Sequence, residues 1–509
     1  MKKNDVNIKD RVLLKLILLL LPFLLGIIGF KLECVDYSYL DAAYASMQMY
    51  FVNIPIDWEY NLYIEIGRWL APFCGIFLGI GLVMELVRGL LWPRIWSKFP
   101  SHYVVYGDTV WTNLLCKEKD NIFSKYCVLD RDKFVNSSRY VLLFDSDKEN
   151  LDFYTSFLLP KTKNKNVKIF MNLLELEPQD IQMEKLSTFQ INNFIAISFF
   201  KASSWIEFER RLIEQKGEGS VKIGIVGFGD LGKRMLQSAL VMNIISDKQK
   251  IEYHIWGDTL SYQKKHTCLN EENLRPDKLI FHGEDINASL RFLEDFDVIF
   301  MCGKQEENLP FLSDLLRLTG FVGKGGRVYA NVENEEVLEM FQVAHNGVKR
   351  KVTETEKTFL INERLFPITI PNKEDFLDKV IQNKLTVYKK AEKKHEAYID
   401  NARKREVQEG VSEYEYFKWK ELNSYLRWEN VSSTNYDEIG LLLREKGVPE
   451  EALAEFEHIR WLRCHYLDNW EYSPQRDDSA HQHPDLKEFQ QLSEEEKGKD
   501  YNLILDGNE

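Results

Sequence analysis

The stretch Gly227-Phe-Gly229-Asp-Leu-Gly232 directly follows the apolar run KIGIV and opens a helix-forming segment. In that setting the first glycine permits a tight turn and the second lets backbone approach a pyrophosphate. The third allows close helix packing, and the helix N-terminus faces the anion. The alternative is a strand-turn-helix that keeps its glycines for packing alone. A ribose-binding acid is expected at the end of the next strand, where HIWGD offers Asp258, although Gly257 stands in what would be its usual place. The ligand these residues fit is a nucleotide or an NAD-like dinucleotide. A second concentration of chemistry lies near the C-terminus, where Trp461, Trp470 and Tyr472 accompany Arg460, Arg476, His458, His481 and His483. Stacking faces beside planar donors suit a nucleobase with its phosphate or ribose, and a nucleotide-derived ligand is the expectation there. The same residues would also build a small core capped by salt bridges. No cysteine or carboxylate stands at metal-ligand spacing from these histidines, so no metal is expected.

The sequence contains no GxSxG, no HExxH and no GxxxxGK[ST]. Dehydrogenase chemistry would need a substrate domain with a proton donor beside the nicotinamide, and a non-enzyme is expected. A formal net charge of −13 argues against nucleic acid as a partner, because phosphate binding needs clustered Lys and Arg. The seven cysteines are scattered without CxxC spacing, which fits reduced thiols better than a disulfide framework.

The elements around these motifs begin with two apolar runs, Val12 to Phe30 and Trp69 to Val87, each about long enough to cross a ~30 Å hydrocarbon core as a helix. Basic residues flank their outer ends (Lys2, Lys3, Lys9, Arg11; Arg88, Arg94, Lys98), and the segment between them is acidic. This predicts a two-pass membrane protein with both termini cytoplasmic. The intervening stretch, residues 36–59, has the aromatic, Asp-Ala, small-residue pattern of a pore helix, which makes Asp41, Tyr50 and Asn53 pore candidates. VNIPIDWEY supplies no glycine for a potassium filter.

From Ser101 the chain alternates strand and helix patterns, first in HYVVYG, YCVLD, YVLLFDSD and VKIFMNL, then in VKIGIVGFGDLG, IEYHIWGD, KLIFHGED, DVIFMCG and GRVYANV. YVLLFDSDKENLDFYTSFLL and DVIFMCGKQEENLPFLSDLL read as two copies of one strand-turn-helix unit sharing Glu-Asn-Leu at the helix start. The first copy offers Gly107-Asp-Thr109-Val-Trp-Thr112 where the second has its three glycines, and is expected to bind no dinucleotide. KLTVYKKAEKKHEAYIDNARKREVQEG is a charge-rich helix between domains.

The glycine motif, His282-Gly283-Glu284-Asp285 and the repeated strand-helix unit resemble TrkA-N (RCK) domains, the nucleotide- or ion-sensing gates of potassium channels and transporters. By that resemblance Gly227, Gly229, Gly232, Asp258 and Glu284 or Asp285 would hold the nucleotide. Residues 453–503 are similar to the RyR domain, the repeat of ryanodine receptors, with Glu457, His458, Arg460, Trp461, Trp470, Tyr472, Arg476, Asp477 and His483 among the matching positions. The expected architecture is an α-helical membrane domain (1–100), a degenerate Rossmann-like α/β domain (101–215), a second one (220–345), a helical connector (346–450) and a mostly helical RyR domain (451–509). The expected function is a ligand-gated membrane effector or channel of the bacterial inner membrane, homo-oligomeric and by analogy tetrameric, opened or closed by a nucleotide and serving antiviral defence. A membrane-tethered sensor that recruits a partner, and an NAD-dependent or NAD-consuming enzyme, stand as alternatives.

Overall fold

Apolar, β-branched runs ending in glycine set the strands, and polar turns with capping residues start the helices. The computed structural model describes residues 20–54, 60–78, 102–117, 126–177, 181, 183–317, 326–333, 335–345, 364–368, 376–409 and 418–505. The chain divides into two units, Met1–Tyr106 with Leu114–Tyr140, and Gly107–Asn113 with Val141–Glu509.

In the first unit a helix over 20–33 (α1) is followed by α2 (Tyr39–Met49) and α3 (Leu62–Phe73). Phe30, Ala42, Ala45, Met49, Ile64 and Ala71 form their shared core. Asn61 caps α3 and also donates to the Gly29 carbonyl at 2.8 Å, fastening α3 to α1. Asp41 completes a capping box with Ser38, whose hydrogen bonds hold its carboxyl below the usual range. Tyr50 is the C-cap of α2, and the Asn53 N–H donates to Gln48. The pore candidates are thus helix-end residues. The same unit contains β1 (Tyr103–Gly107) up to Tyr106 and β2 (Tyr126–Val128), paired in parallel.

The membrane domain expected from the sequence is corrected here. Among the described residues no helix is long and apolar enough to cross a membrane. The first apolar run enters α1, which continues past Phe30 to take in Lys31 and Glu33. The second run does not begin its own helix: α3 starts at Leu62, carries an Arg68–Glu65 ion pair at 2.6 Å, and gives way to a π-helical turn at Cys74–Leu78. Residues 12–19 and 79–87 of the expected spans, and 55–59 of the intervening stretch, lie outside the described residues. The two-pass inner-membrane assignment falls with the spans.

The second unit begins within β3 (Arg139–Leu143). It includes the start of α4 (Val110–Lys117), then α5, which runs from Asp147–Phe153 through a π-helical turn to Leu159–Thr162. Strands β4 (Lys168–Asn172) and β5 (Leu186–Phe189) are parallel, and α6 (Ile191–Phe200) and α7 (Ser203–Lys216) lead to the next sheet. That sheet contains β6 (Val221–Val226), β7 (Ile251–Trp256), β8 (Lys278–His282), β9 (Val298–Met301), β10 (Arg327–Ala330) and β11 (Leu365–Pro367), every adjacent pair parallel. Its order β11-β10-β9-β6-β7-β8 is the doubly wound Rossmann order, reversing direction between β6 and β9. Helices α8 (Asp230–Met242), α9 (Leu260–Lys265), α10 (Gln305–Arg317) and α11 (Glu335–His345) make the connections. Val226, Trp256, Phe296, Ile299, Leu312, Leu315 and Val328 anchor one core layer.

Helix α12 (Phe376–Glu409) packs beside α13 (Ser424–Glu445), which is followed by α14 (Glu450–Leu467). Two short parallel strands, β12 (Glu471–Tyr472) and β13 (Gln482–His483), and α15 (Glu494–Leu505) complete the unit.

Candidate functional site

The glycine loop sits where the strand order reverses, the crevice in which open α/β sheets bind ligands. Its three glycines do three different things. Gly227 has φ +82°, and a Cβ there would strike the backbone of Gly303. A Cβ on Gly232 would come within 2.6 Å of the Gly227 carbonyl oxygen, so only glycine lets α8 lie this close to the turn. Gly229 is different: a Cβ there would meet nothing within 4 Å. Packing therefore requires the first and third glycines and does not require the second. Gly229 is the N-cap of α8 and contributes no side-chain cap, so the first N–H groups of the helix have neither an intrahelical acceptor nor a cap from this residue.

Gly257 has φ +138°, and its would-be Cβ lies 2.6 Å from the Phe228 nitrogen. No acid can occupy that position without moving the glycine loop. Asp258, one residue on, is exposed at the strand end. Glu284 is largely exposed with Oε1 3.8 Å from His282 Nδ1, whereas Asp285 caps the following turn by accepting from the Asn287 N–H at 3.1 Å. Asp230, the first residue of α8, sets a carboxyl at the positive end of the helix; burial pushes its pKa up to about 6, against the opposing pull of the Asn192 hydrogen bond and Arg234. Asn192 starts α6, and nothing in its sequence context marked it.

The C-terminal candidates separate into core and surface. His458 is buried, its Nε2 donating to the Lys487 carbonyl at 2.8 Å and its Nδ1 3.3 Å from Asp500. Arg460 is fully buried and holds Glu457 through two 2.8 Å hydrogen bonds, with Glu429 at 3.4 Å. Trp470 is buried between Tyr425 and His481. These three build the fold. Tyr472 and Arg476 are exposed, and Arg476 pairs with Asp478 at 2.6 Å.

Trp461 is half-buried among three imidazoles, His465 at 3.9 Å, His483 at 5.0 Å and His458 at 5.6 Å between ring centroids. The His465 Nδ1–H donates to the Trp461 carbonyl at 3.0 Å, which leaves Nε2 as an acceptor. The His483 Nδ1 accepts from the Asp485 N–H at 3.1 Å, so its proton is on Nε2. Burial holds His465 well below its ordinary pKa and His483 down to about 4, so both rings are neutral at pH 7. A donor and an acceptor thus flank one indole. His465 was missed from sequence because a buried histidine on a helix has no distinguishing pattern.

This helical region is docked on the doubly wound sheet. Arg463 Nη2 donates to Asp277 Oδ2 at 2.7 Å in a pair that is buried on both sides. Asp277 also accepts from the Ile251 and Gln249 nitrogens. Tyr436 donates to the Ile244 carbonyl, the His266 Nδ1–H to the Leu467 carbonyl, and Asn469 to the Lys265 carbonyl. Among the described residues no group of three or more potential ligands could hold a metal.

Residues 442–507 match the model of the RyR domain family. No curated protein matches the chain. Among solved structures, a D-isomer specific 2-hydroxyacid dehydrogenase from Xanthobacter autotrophicus is 14% identical, covering 54% of this chain and 92% of its own, with a TM-score of 0.22. A dipicolinate synthase polypeptide from Bacillus halodurans is 9% identical, covering 57% and 98%, with a TM-score of 0.20. Such scores carry no argument, and the Rossmann-like description rests on the strand order and the glycine loop.

Proposed function

We propose that this chain is a nucleotide-sensing regulatory protein in which the glycine loop of the TrkA-N-like sheet binds a nucleotide phosphate and the docked RyR domain relays its presence. The observation that carries this reading is the uncapped α8 N-terminus at Gly229, a glycine that packing does not require. The Trp461, His465 and His483 arrangement supports a base-recognising role for the RyR domain, because a neutral donor and acceptor beside an indole face match a nucleobase edge. Self-association belongs to the same proposal: Leu32, Leu40, Phe51, Leu62 and Trp69 are exposed on the N-terminal helices, a surface that a second copy would bury.

Calorimetry on the full chain with nucleoside phosphates and NAD tests the binding step. Saturable binding that Gly229→Asp abolishes is the expected result; undiminished binding in that variant would move the site to the RyR domain. NAD left chemically unchanged after incubation is expected of a sensor, and its turnover would make the chain an enzyme.

A further inference from the structure

One turn into α8, Arg234 bonds the carboxylate of Glu177, whose charge also acts on Tyr262 and Lys384; the Arg234 Nε and the Tyr262 hydroxyl are buried without an acceptor among the described residues. Arg234, 6% exposed, gives Nη1 to Glu177 at 2.7 Å and to Gln237 at 3.0 Å, and Nη2 to the Leu174 carbonyl at 3.3 Å. Its Nε is buried without a hydrogen bond, 3.9 Å from Asp230 Oδ1. Tyr262, 5% exposed, packs on Phe228 of the glycine loop at 5.1 Å, and its hydroxyl is buried beside Gln237 and Arg234 with no hydrogen bond of ordinary geometry. Lys384 of α12 is the third donor: its ammonium lies 4.5 Å above the Tyr388 ring, with Glu177 as the neighbouring charge and no hydrogen bond or ion pair among the described residues. Burial pulls that amine down to about 7.

Buried donors without acceptors are unfavourable unless a ligand completes them. Two cations and a phenol meet two carboxylates, Glu177 and Asp230, and the donors still unused, the Arg234 Nε, the Tyr262 hydroxyl and the Lys384 ammonium, match an oxyanion with several acceptor oxygens. We propose that Lys384, Tyr262 and the Nε of Arg234 form a second anion subsite beside the glycine loop, which takes the outer phosphate of a nucleoside polyphosphate whose inner phosphate rests on the N-terminus of α8. This rests on the nucleotide reading of the glycine loop and gives the ligand its class.

Lys384 also supplies a route to the RyR domain. Ten residues further along the same helix, about 15 Å, Lys394 donates to Asp437 at 2.7 Å and Ser433 at 3.0 Å on α13. Ser433 in turn donates to Glu457 Oε1 at 3.0 Å, the carboxylate that holds Arg460. An outer phosphate held by Lys384 therefore engages a helix already fastened to the RyR domain.

The test is calorimetry on the full chain with adenosine mono-, di- and triphosphate, inorganic phosphate and pyrophosphate, in wild type and in Lys384→Met, Lys384→Arg and Tyr262→Phe. Wild type is expected to prefer di- and triphosphate over monophosphate by roughly tenfold, the worth of one charge-assisted contact. Lys384→Met should erase that preference with monophosphate affinity unchanged, Lys384→Arg should retain it, and Tyr262→Phe should reduce it. The preference should decline above pH 7 as the amine loses its proton. Lys384→Met should leave the melting temperature of the free protein equal or higher, which separates loss of binding from loss of fold. A polyphosphate preference that survives in Lys384→Met, or is missing from wild type, overturns the subsite. Monophosphate binding that depends on Gly229 but shows no polyphosphate preference would leave the glycine-loop reading standing and remove this one. Lys384-dependent binding of pyrophosphate or phosphate, with no nucleotide bound, would do the reverse; no binding of any probe overturns both.

Discussion

In the first α/β half, the Asn150 side chain donates to the Phe144 and Ser146 carbonyls and accepts from the Phe144 N–H. In the second, Asn308 donates to the carbonyls of Met301, Gly303 and Asn331. Three residues earlier, Asp147 accepts from the N–H groups of Leu174, Glu175 and Leu176, and Gln305 accepts from that of Glu333. In both halves, then, the asparagine fastens the strand end and the residue three positions before it fastens the loop after the next strand. The opening loops differ. Thr109 accepts from the Thr112 N–H at 3.3 Å and bonds the Thr112 hydroxyl, while Trp111 packs at a tilt against Phe376, 5.1 Å between ring centroids. The first half thus caps its own helix start, and Gly229 leaves the second open. Two hydroxyls and an indole close the first helix start, and the second is left without a side-chain cap.

The largest expected effect tests the claim that the second half carries the RyR domain: Asp277→Ala leaves Arg463 buried and unpaired, and should cost about 3–5 kcal/mol in urea unfolding. Next, Gly229→Asp should weaken nucleotide binding by at least about 100-fold, or ~2.7 kcal/mol, whereas Thr109→Gly should leave affinity unchanged. Equal losses in calorimetry would break the contrast between the loops. Asn150→Ala and Asn308→Ala should each destabilise by about 2–3 kcal/mol, with Asn308→Ala the worse because three carbonyls lose their donor; a large drop in only one melting temperature would show the two locks to be unequal.

A pH-dependent effect, absent in acid, concerns the segment joining the halves. Glu209 is fully buried, and burial pushes its carboxyl up to about 8, with the Asn243 hydrogen bond opposing. A raised acid pKa means the folded state binds a proton that the unfolded state releases, so stability falls as pH rises from about 4.5 towards 8. Glu209→Gln should match wild type near pH 4 and become the more stable of the two as pH rises towards 8. Parallel melting curves across that range would count against the assignment.

Much of the second half was legible because local pattern and long-range packing agree there. KIGIV followed by three glycines predicts a strand, a turn and a helix, and Gly227 and Gly232 are held by contacts that tolerate no side chain. The Glu-Asn-Leu repeat was visible, although its purpose needed coordinates. Other features were hidden because they join residues far apart in sequence: Arg463 meets Asp277 across 186 positions, and nothing around Lys384 announces an amine held below its ordinary pKa. His458 and Arg460 looked like ligand groups because their chemistry is the same whether they face a ligand or a buried carboxylate. The apolar runs misled for another reason. Hydropathy reports composition, while helix boundaries depend on caps such as Asn61, which starts α3 well before the run begins.

Asp277 divides its two oxygens between tasks: one accepts the Ile251 N–H at the start of β7, and the other takes Arg463 and Gln249. Detaching the RyR helix would leave that carboxylate desolvated and drawn towards water, and the first amide of β7 would loosen with it. The rate at which the Ile251 amide exchanges with deuterium therefore reports whether the RyR domain is seated, and it does so from inside the sheet that holds the glycine loop.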